Sequence, residues 1–108
     1  MAQSDIFGRV FRLGTVAVSG DSMLPTFGSG DWLVVRWKSR FQVGDVVVIE
    51  REEWPGIFLI KRFLRMEADR VWVEGDSQSS KDSRHWGAIS ADEIVGKVLY
   101  RIRKSRNT

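Results

Sequence analysis

The feature that most limits how this chain can fold is a series of short apolar runs, rich in β-branched residues and bounded by turn-forming residues. Runs of this length and composition between glycine, aspartate or proline are typical of β-strands. The predicted strands are Thr15–Val18, Trp32–Trp37, Val46–Glu50, Ile57–Phe63, Arg70–Glu74 and Ile94–Ile102. Many short strands joined by glycine-rich turns predict a mainly β fold, either a compact sheet or a half-open barrel.

Two segments depart from the strand pattern. The stretch Asp5–Leu13 spaces its apolar residues for a short N-terminal helix, which we expect to cap the core; a helix lying on a membrane surface is the alternative. Ser90 and Glu93 have the spacing of a helical capping box, which predicts one helical turn after the polar loop Gly75–Gly87.

Length and composition exclude several classes of protein. A chain of 108 residues, 43% of them apolar, fits one globular domain, and we expect residues 1–108 to form a single domain. The chain has no cysteine, which excludes disulfides and thiolate chemistry, and its one histidine argues against a dedicated zinc or iron site. We therefore predict no metal site and no other cofactor.

The chain is mildly basic, with a net charge of +3 and an isoelectric point near 9.7. Part of the excess lies at the C-terminal end, in Arg101, Arg103, Lys104 and Arg106. Because Tyr100 is the one aromatic residue beside them, we interpret this end as a solvated strand and tail, and we predict no nucleic-acid partner.

No segment has the length of a membrane span or the pattern of a secretory signal. The apolar run Val46–Ile49 is far shorter than the ~20 residues that a spanning helix needs. In Met1–Val18 the charged residues Asp5, Arg9 and Arg12 interrupt the apolar ones. We therefore expect a soluble, cytoplasmic protein; the alternatives are a membrane-peripheral protein, or a domain of a membrane protein without its anchor.

Two residues have the setting of a nucleophile and a base. Ser22 lies at the junction of a strand and a loop, where a hydroxyl can face a substrate and nearby N–H groups can form an oxyanion hole. Lys61 lies in the apolar run Ile57–Leu64, where burial would lower its pKa toward the range in which the amine acts as a base. Taken alone, each has a simpler interpretation: Ser22 as part of a turn, and Lys61 as an exposed residue that alternates with Ile60.

A third segment, Gly75–Gly87, is rich in polar side chains. Asp82 and Arg84 are spaced for an ion pair, and the serines offer hydroxyls that can orient an amine. On composition alone, this segment is a polar loop. The three segments together put reactive polar groups where a plain β domain does not need them.

The three segments resemble the boxes of the signal peptidase I family of Ser–Lys endopeptidases. The nucleophile box of the family is similar to Gly20–Thr26, its lysine box to Ile60–Arg62 and its last box to Gly75–Gly87. Its Gly-Asp turns are similar to Gly30-Asp31 and Gly44-Asp45. The last box departs from the family pattern at Ser77, where the family usually has asparagine.

The resemblance implies a serine endopeptidase with the fold of the signal peptidase catalytic core. It implies that Ser22 attacks the scissile carbonyl, and that Lys61 takes the hydroxyl proton and later gives it to the leaving amine. Ser80 matches the hydroxyl that orients the lysine amine. Asp82 and Arg84 match the pair that fixes this loop against the catalytic strand.

Other positions in the boxes have smaller implied roles. The N–H of Ser22 is the implied oxyanion donor, and some relatives add a side-chain hydroxyl at the position of Gly20, which has none. Met23 and Trp86 are expected to pack around the site. His85 stands where relatives carry an aromatic ring, so we assign it no catalytic role.

Within the family, the chain most resembles the soluble nickel-type superoxide dismutase maturation proteases. Like them, it has a short interval between Lys61 and Gly75 and no predicted membrane anchor. That resemblance implies a precursor protein as partner, a nickel superoxide dismutase whose N-terminal extension is removed. One alternative is the core of a membrane signal peptidase, with Trp54–Phe58 as a membrane-facing lip. Others are a LexA-type self-cleaving regulator, for which little sequence precedes Ser22, and a non-catalytic β domain that binds a partner through the same groove.

Overall fold

A computed structural model describes residues 12–104, and these residues form one antiparallel sheet of seven strands. The strands are β1 (Leu13–Ala17), β2 (Trp32–Trp37), β3 (Val46–Glu50), β4 (Phe58–Glu67), β5 (Arg70–Glu74), β6 (Ile89–Ser90) and β7 (Ile94–Arg103). Their order across the sheet is β1-β2-β7-β3-β4-β5-β6. The last strand, β7, therefore joins the β1–β2 pair to the other four strands.

The sheet curls so that β3 is buried on both faces. Val46 and Val48 belong to one apolar cluster, with residues of β2, β7 and the loop after β1. Val47 and Ile49 belong to a second cluster, with residues of β4, β5 and β6. A strand that is covered on both faces reads as a continuous apolar run, which explains Val46–Ile49. This curled sheet with two apolar clusters confirms the predicted mainly β, half-open barrel.

The predicted strands agree with the observed ones, apart from their ends. β2, β3 and β5 have the predicted bounds, and β1 starts earlier than predicted, at Leu13. β4 continues past its predicted end at Phe63 to Glu67, because its exposed end pairs with β5. β6 is only two residues long and has no alternation that a sequence pattern can detect.

Helical structure in residues 12–104 is limited to single turns. A turn of α-helix, α1 (Ser83–Trp86), lies inside the segment Gly75–Gly87 that the sequence predicts as a loop. The predicted N-terminal helix Asp5–Leu13 falls outside the described residues except at its end, where Leu13 belongs to β1. Neither helical turn in this part of the chain is long and apolar enough to cross a membrane.

The second turn is the one that the capping box predicts. A 3₁₀ turn spans Ala91–Glu93 and leads directly into β7. The hydroxyl of Ser90 accepts a hydrogen bond from the N–H of Asp92, and the carboxylate of Glu93 accepts one from the N–H of Ser90. These reciprocal bonds satisfy donors that the start of a helix leaves unpaired, and they confirm the predicted capping box.

Candidate active site

Ser22 lies in the loop between β1 and β2, and contacts on either side of it fix this loop. Met23 is 1% exposed and packs in the first apolar cluster, which also includes Val18 at the start of the loop. The carbonyl oxygen of Ser22 accepts a hydrogen bond from the N–H of Ser77, at 2.9 Å. Within residues 12–104 the N–H of Ser22 donates to no acceptor, so it remains available to a bound group.

Lys61 lies on β4 and is only 4% exposed. It is on the same side of the strand as Leu59 and Phe63, both of which belong to the second apolar cluster. Burial lowers the pKa of Lys61 below its ordinary value of 10.5; nearby Asp82 opposes this shift and Arg84 adds to it. The simpler interpretation of Lys61 as an exposed surface residue is therefore wrong.

Ser80 is the hydrogen-bond partner of the lysine amine. The Nζ atom of Lys61 donates to the Oγ atom of Ser80 at 2.5 Å, and Ser80 is 3% exposed. Gly75 lies between Ser80 and the nucleophile loop: a Cβ atom at Gly75 would lie within 3.0 Å of both the Ser22 carbonyl oxygen and the Ser80 side chain. The backbone of Ser22 and the side chain of Ser80 are thus held close together by a residue without a side chain.

Asp82 is fully buried and organises the segment that carries Ser80. Its carboxylate caps α1 through the N–H of Arg84, and it accepts a second backbone bond from the N–H of Gly75 at 2.8 Å. The guanidinium of Arg84 donates to both carboxylate oxygens, at 3.0 and 2.7 Å. Burial alone would raise the pKa of Asp82, but the bonds from Arg84, Gly75 and Ser80 hold it well below its usual range. Asp82 is therefore an anion near Lys61 at neutral pH.

A second charged hub, which the sequence analysis did not assign, joins the three segments. The carboxylate of Asp76 accepts two hydrogen bonds from Arg62, at 3.0 and 2.7 Å, and one from the hydroxyl of Thr26. Arg62 follows Lys61 on β4, and Thr26 belongs to the nucleophile loop. The side-chain bond from Arg62 is the main cause that lowers the pKa of Asp76. Asp76 and Arg62 both lie inside the boxes that resemble the family, and this position was the one indication in the sequence that they belong to the site.

The remaining candidates differ in where they lie. Gly20 is exposed, adopts the left-handed backbone region with a φ of 85°, and provides no side-chain donor. Ser77 faces Ser79, with 2.9 Å between their hydroxyl oxygens. His85 is exposed and contributes to neither of the clefts described next. In residues 12–104 no three His, Cys, Asp or Glu side chains cluster in a way that could hold a metal ion.

Two clefts meet at Ser22 and Lys61, since both residues line both of them. The first, of about 400 Å³, follows the end of β1 and the start of the next loop, from Thr15 to Ser19, and is closed on its other side by Phe58 and Ile60. The second, of about 540 Å³, continues past Ser80. A chain laid through both clefts would pass both Ser22 and Lys61.

The sequence places these residues in a known family, because residues 3–99 match the peptidase S24-like family. The chain belongs to the peptidase S24-like family. The extent of the match includes β1 to β6 and most of β7, so it covers every box that carries a candidate site residue.

Several peptidase relatives are similar along most of their length. The chain is 31% identical to the mitochondrial ATP-independent inner membrane protease subunit 1a of Arabidopsis thaliana, over 85% of this chain and 71% of the relative. It is 31% identical to the human mitochondrial inner membrane protease subunit 1, over 82% of this chain and 69% of the relative. It is also 32% identical to the mitochondrial inner membrane protease subunit 2 of Schizosaccharomyces pombe, over 83% of this chain and 63% of the relative.

The arrangement in this S24-like peptidase has the parts that acyl transfer needs. A hydroxyl, a buried amine with a lowered pKa and a fixed hydrogen-bond partner for that amine lie around one junction of clefts. The N–H of Ser22, which has no acceptor within residues 12–104, lies at the same junction. A buried lysine is a competent general base only while it is neutral, and desolvation favours that form. Burial of Lys61 thus favours the form of its amine that can accept a proton.

Proposed function

We propose that this chain is a serine endopeptidase in which Ser22 is the nucleophile and Lys61 the general base, and that it removes an N-terminal extension from a precursor protein. The observation that carries the proposal is the state of Lys61. Lys61 is only 4% exposed, its amine is bonded to Ser80 at 2.5 Å, and the residue lines the same two clefts as Ser22. An amine in that setting has little other use.

In the proposed reaction, the Oγ atom of Ser22 attacks the scissile carbonyl while its proton passes to neutral Lys61. The N–H of Ser22 donates to the oxyanion that forms. Protonated Lys61 then gives its proton to the leaving amine, which completes acylation. A water molecule, deprotonated by Lys61 in turn, releases the acyl group and restores the Ser22 hydroxyl.

The substrate is proposed to bind as an extended chain along β1. Among residues 12–104 this strand stands at one end of the strand order, and β2 is its one neighbour there. Its other backbone edge is the one that a substrate strand would pair with. The first cleft follows the same strand and ends at Ser22. Pairing of a substrate backbone with β1 would place its peptide bonds in line with the nucleophile.

The names of the relatives bear on which precursor is cut. They are subunits of inner membrane proteases, and none of those reported above is named for nickel superoxide dismutase. This favours the alternative from the sequence analysis, a signal peptidase-type enzyme that cuts precursors at a membrane. The exposed residues Trp54, Ile57 and Phe58 supply an apolar lip for such a surface. The nickel superoxide dismutase precursor remains the alternative substrate, and the experiment below compares the two.

Two precursors distinguish these substrates in one experiment. A signal-bearing precursor in detergent or vesicles and a nickel superoxide dismutase precursor are each incubated with wild type, Ser22→Ala and Lys61→Arg, and products are identified by intact mass. We expect wild type alone to shorten a precursor, because Ser22→Ala has no nucleophile and arginine stays charged. Cleavage by Lys61→Arg at a near-normal rate would contradict the general-base role.

The same experiment also tests the two non-peptidase alternatives. A LexA-type regulator would cut its own chain instead of an added precursor, so its own mass would fall with time. A non-catalytic binding domain would cut neither precursor, while both wild type and Ser22→Ala would bind one. Either result with folded protein would replace the endopeptidase proposal.

A further inference from the structure

The second cleft has a wall of two tryptophans that the proposed reaction does not use. Trp54 belongs to the connection between β3 and β4, and Trp86 is the last residue of α1. Their rings meet edge to face, with centroids 6.2 Å apart at an angle of 69°. Leu59 adds a third apolar side chain to the same cleft. The wall therefore combines parts of the chain that are distant in sequence.

Arg51 holds the two rings in place. The Cζ atom of its guanidinium lies 5.0 Å from the centroid of Trp86 and 5.9 Å from that of Trp54. Such contacts between a cation and an aromatic ring are attractive, and more so when they are shielded from water. Arg51 thus links the rings without itself lining the cleft.

The charge of Arg51 is already compensated by Glu93. The Nε atom of Arg51 donates to Glu93 at 2.9 Å, and the two side chains are only 14% and 8% exposed. Glu93 also accepts bonds from the N–H groups of Glu52 and Ser90. Burial alone would raise the pKa of Glu93, but these bonds lower it, so Glu93 is ionised at neutral pH. The cleft is therefore preorganised, and Arg51 is not available to recruit an acidic ligand.

The cleft opens directly on the reacting groups. The Nζ atom of Lys61 lies 5.9 Å from the centroid of Trp86, and Ser22 and Ser80 line the same space. Apart from Lys61, the cleft is lined by one acidic and one basic residue, Asp21 and Lys81, whose charges offset each other. An occupant must therefore gain its binding energy from contact with the rings.

We propose that the Trp54–Trp86 cleft binds a bulky apolar or aromatic side chain of a substrate residue next to the scissile bond, on the side opposite to the segment along β1. Arg51 is then a positioning residue that acts through the two rings. This inference rests on the proposed function and extends it to the choice of substrate.

The test uses peptides that span the cleavage junction of whichever precursor is cut. Each position within two residues of the scissile bond is varied singly among Gly, Leu and Trp, and kcat and KM are measured separately. At one position, on one side of the bond, we expect Leu and Trp to exceed Gly by about tenfold in kcat/KM, mainly through KM. In Trp54→Ala the ratio of kcat/KM for Leu or Trp to kcat/KM for Gly should fall to about two.

Variants of Arg51 show whether this residue must hold the two tryptophan rings for the substrate preference to appear. Arg51→Gln should reduce the same ratio, and Arg51→Lys, which keeps the charge, should restore part of it. Trp72→Ala is the matched control, because Trp72 also stacks on an arginine, Arg65, at 4.2 Å but lies outside the cleft. The control should keep the wild-type ratio. Equal ratios in Trp54→Ala and wild type would overturn the inference.

A binding measurement separates failure of the cleft from failure of the reaction. N-acetyl-tryptophanamide is titrated into the full chain while the indole N–H signals of Trp54 and Trp86 are followed by NMR. Saturable shifts that are lost in Trp54→Ala support the cleft even if no precursor is cut, in which case the proposed function alone fails. Cleavage without preference at any position and without shifts leaves the peptidase and removes the cleft.

Discussion

The amine of Lys61 donates to the hydroxyl of Ser80 at 2.5 Å, and neither residue is more than 4% exposed. Two further groups fix this contact: Asp82, which organises the Ser80 segment, and Gly75, which lies against the Ser80 side chain. A lysine buried among apolar side chains normally lowers the stability of the folded state, because its charged form is poorly solvated there. Its retention at this position is consistent with the chemical role proposed above.

The first prediction concerns stability and pH in Lys61→Met. In the unfolded chain Lys61 has its ordinary pKa of 10.5, and burial lowers the pKa in the folded chain. As the pH falls below 10.5, the unfolded state binds the proton more readily, so wild type loses stability until its folded pKa is passed. Lys61→Met removes this cost. We expect its thermal midpoint to exceed that of wild type, by more at pH 7 than at pH 10.

A matched variant checks that the gain comes from burial of the amine. Lys97→Met removes a lysine that is 29% exposed and pairs with Asp45 at 3.4 Å. Surface pairs of this kind are worth about 0–1 kcal/mol, so this variant should be neutral or slightly destabilised at both pH values. A Lys61→Met protein that melts below wild type at pH 7 would contradict the prediction.

The second prediction concerns the orienting hydroxyl in Ser80→Ala. Loss of the hydroxyl leaves the Lys61 amine without its partner, so we expect kcat to fall by about 10–100-fold while KM changes little, as for the loss of one hydrogen bond that positions a base. The pH at which the rate reaches half its maximum should also move, because Ser80 no longer contacts the amine. Ser39→Ala is the control, because Ser39 lies outside both clefts and its hydroxyl donates to the carbonyl oxygen of Arg40. An unchanged pH profile would remove Ser80 from this role.

Much of the fold can be predicted from the sequence, because the burial of a strand appears locally as a run of apolar residues. The bounds of β2, β3 and β5 follow from apolar runs that end at glycine or charged residues. The end of β4 does not, since Glu67 is held there by pairing with Arg70 and not by burial. The same holds for β6, whose two residues Ile89 and Ser90 pair with Val71 and Arg70 of β5.

The site is less readable, because its contacts join distant parts of the chain. Alternation along β4 cannot decide between Ile60 and Lys61 as the buried residue, and in fact both are covered, Ile60 by the first cluster and Lys61 beside the second. The bond between Thr26 and Asp76 crosses 50 positions of sequence. The resemblance to the family boxes indicated these segments. The burial of Lys61 and the wall formed by Trp54 and Trp86 become visible only in the folded structure.

The third prediction concerns the close approach at Gly75. An added Cβ would lie within 3.0 Å of the Ser22 carbonyl oxygen, which is backbone, and of the Ser80 side chain. One of them must move, so Gly75→Ala should lose about 1–3 kcal/mol of stability and also much of its kcat. Gly56→Ala is the comparison, since its Cβ would meet nothing within 4 Å and only its positive φ is unfavourable. It should be less destabilised and keep the wild-type kcat.

The fourth prediction concerns the hub at Asp76. Asp76→Asn weakens both bonds to Arg62, whose side chain is 31% exposed, so we expect a loss of about 1 kcal/mol at pH 7, measured by urea unfolding. The pKa of Asp76 is lowered in the folded state, chiefly by the bond from Arg62. Its contribution is therefore present above its ordinary pKa of 3.8 and is lost as the pH falls through the lower, folded value.

The difference between wild type and Asp76→Asn should accordingly shrink from pH 5 downward and vanish once the carboxylate is protonated in both states. Asp92→Asn is the control, because Asp92 is exposed and its carboxylate makes no ion pair among the described residues. A difference that stays constant from pH 7 to pH 2 would show that Asp76 acts through its shape and not through its charge. Since Thr26 belongs to the nucleophile loop, Asp76→Asn should also lower kcat at pH 7, whereas Asp92→Asn should not.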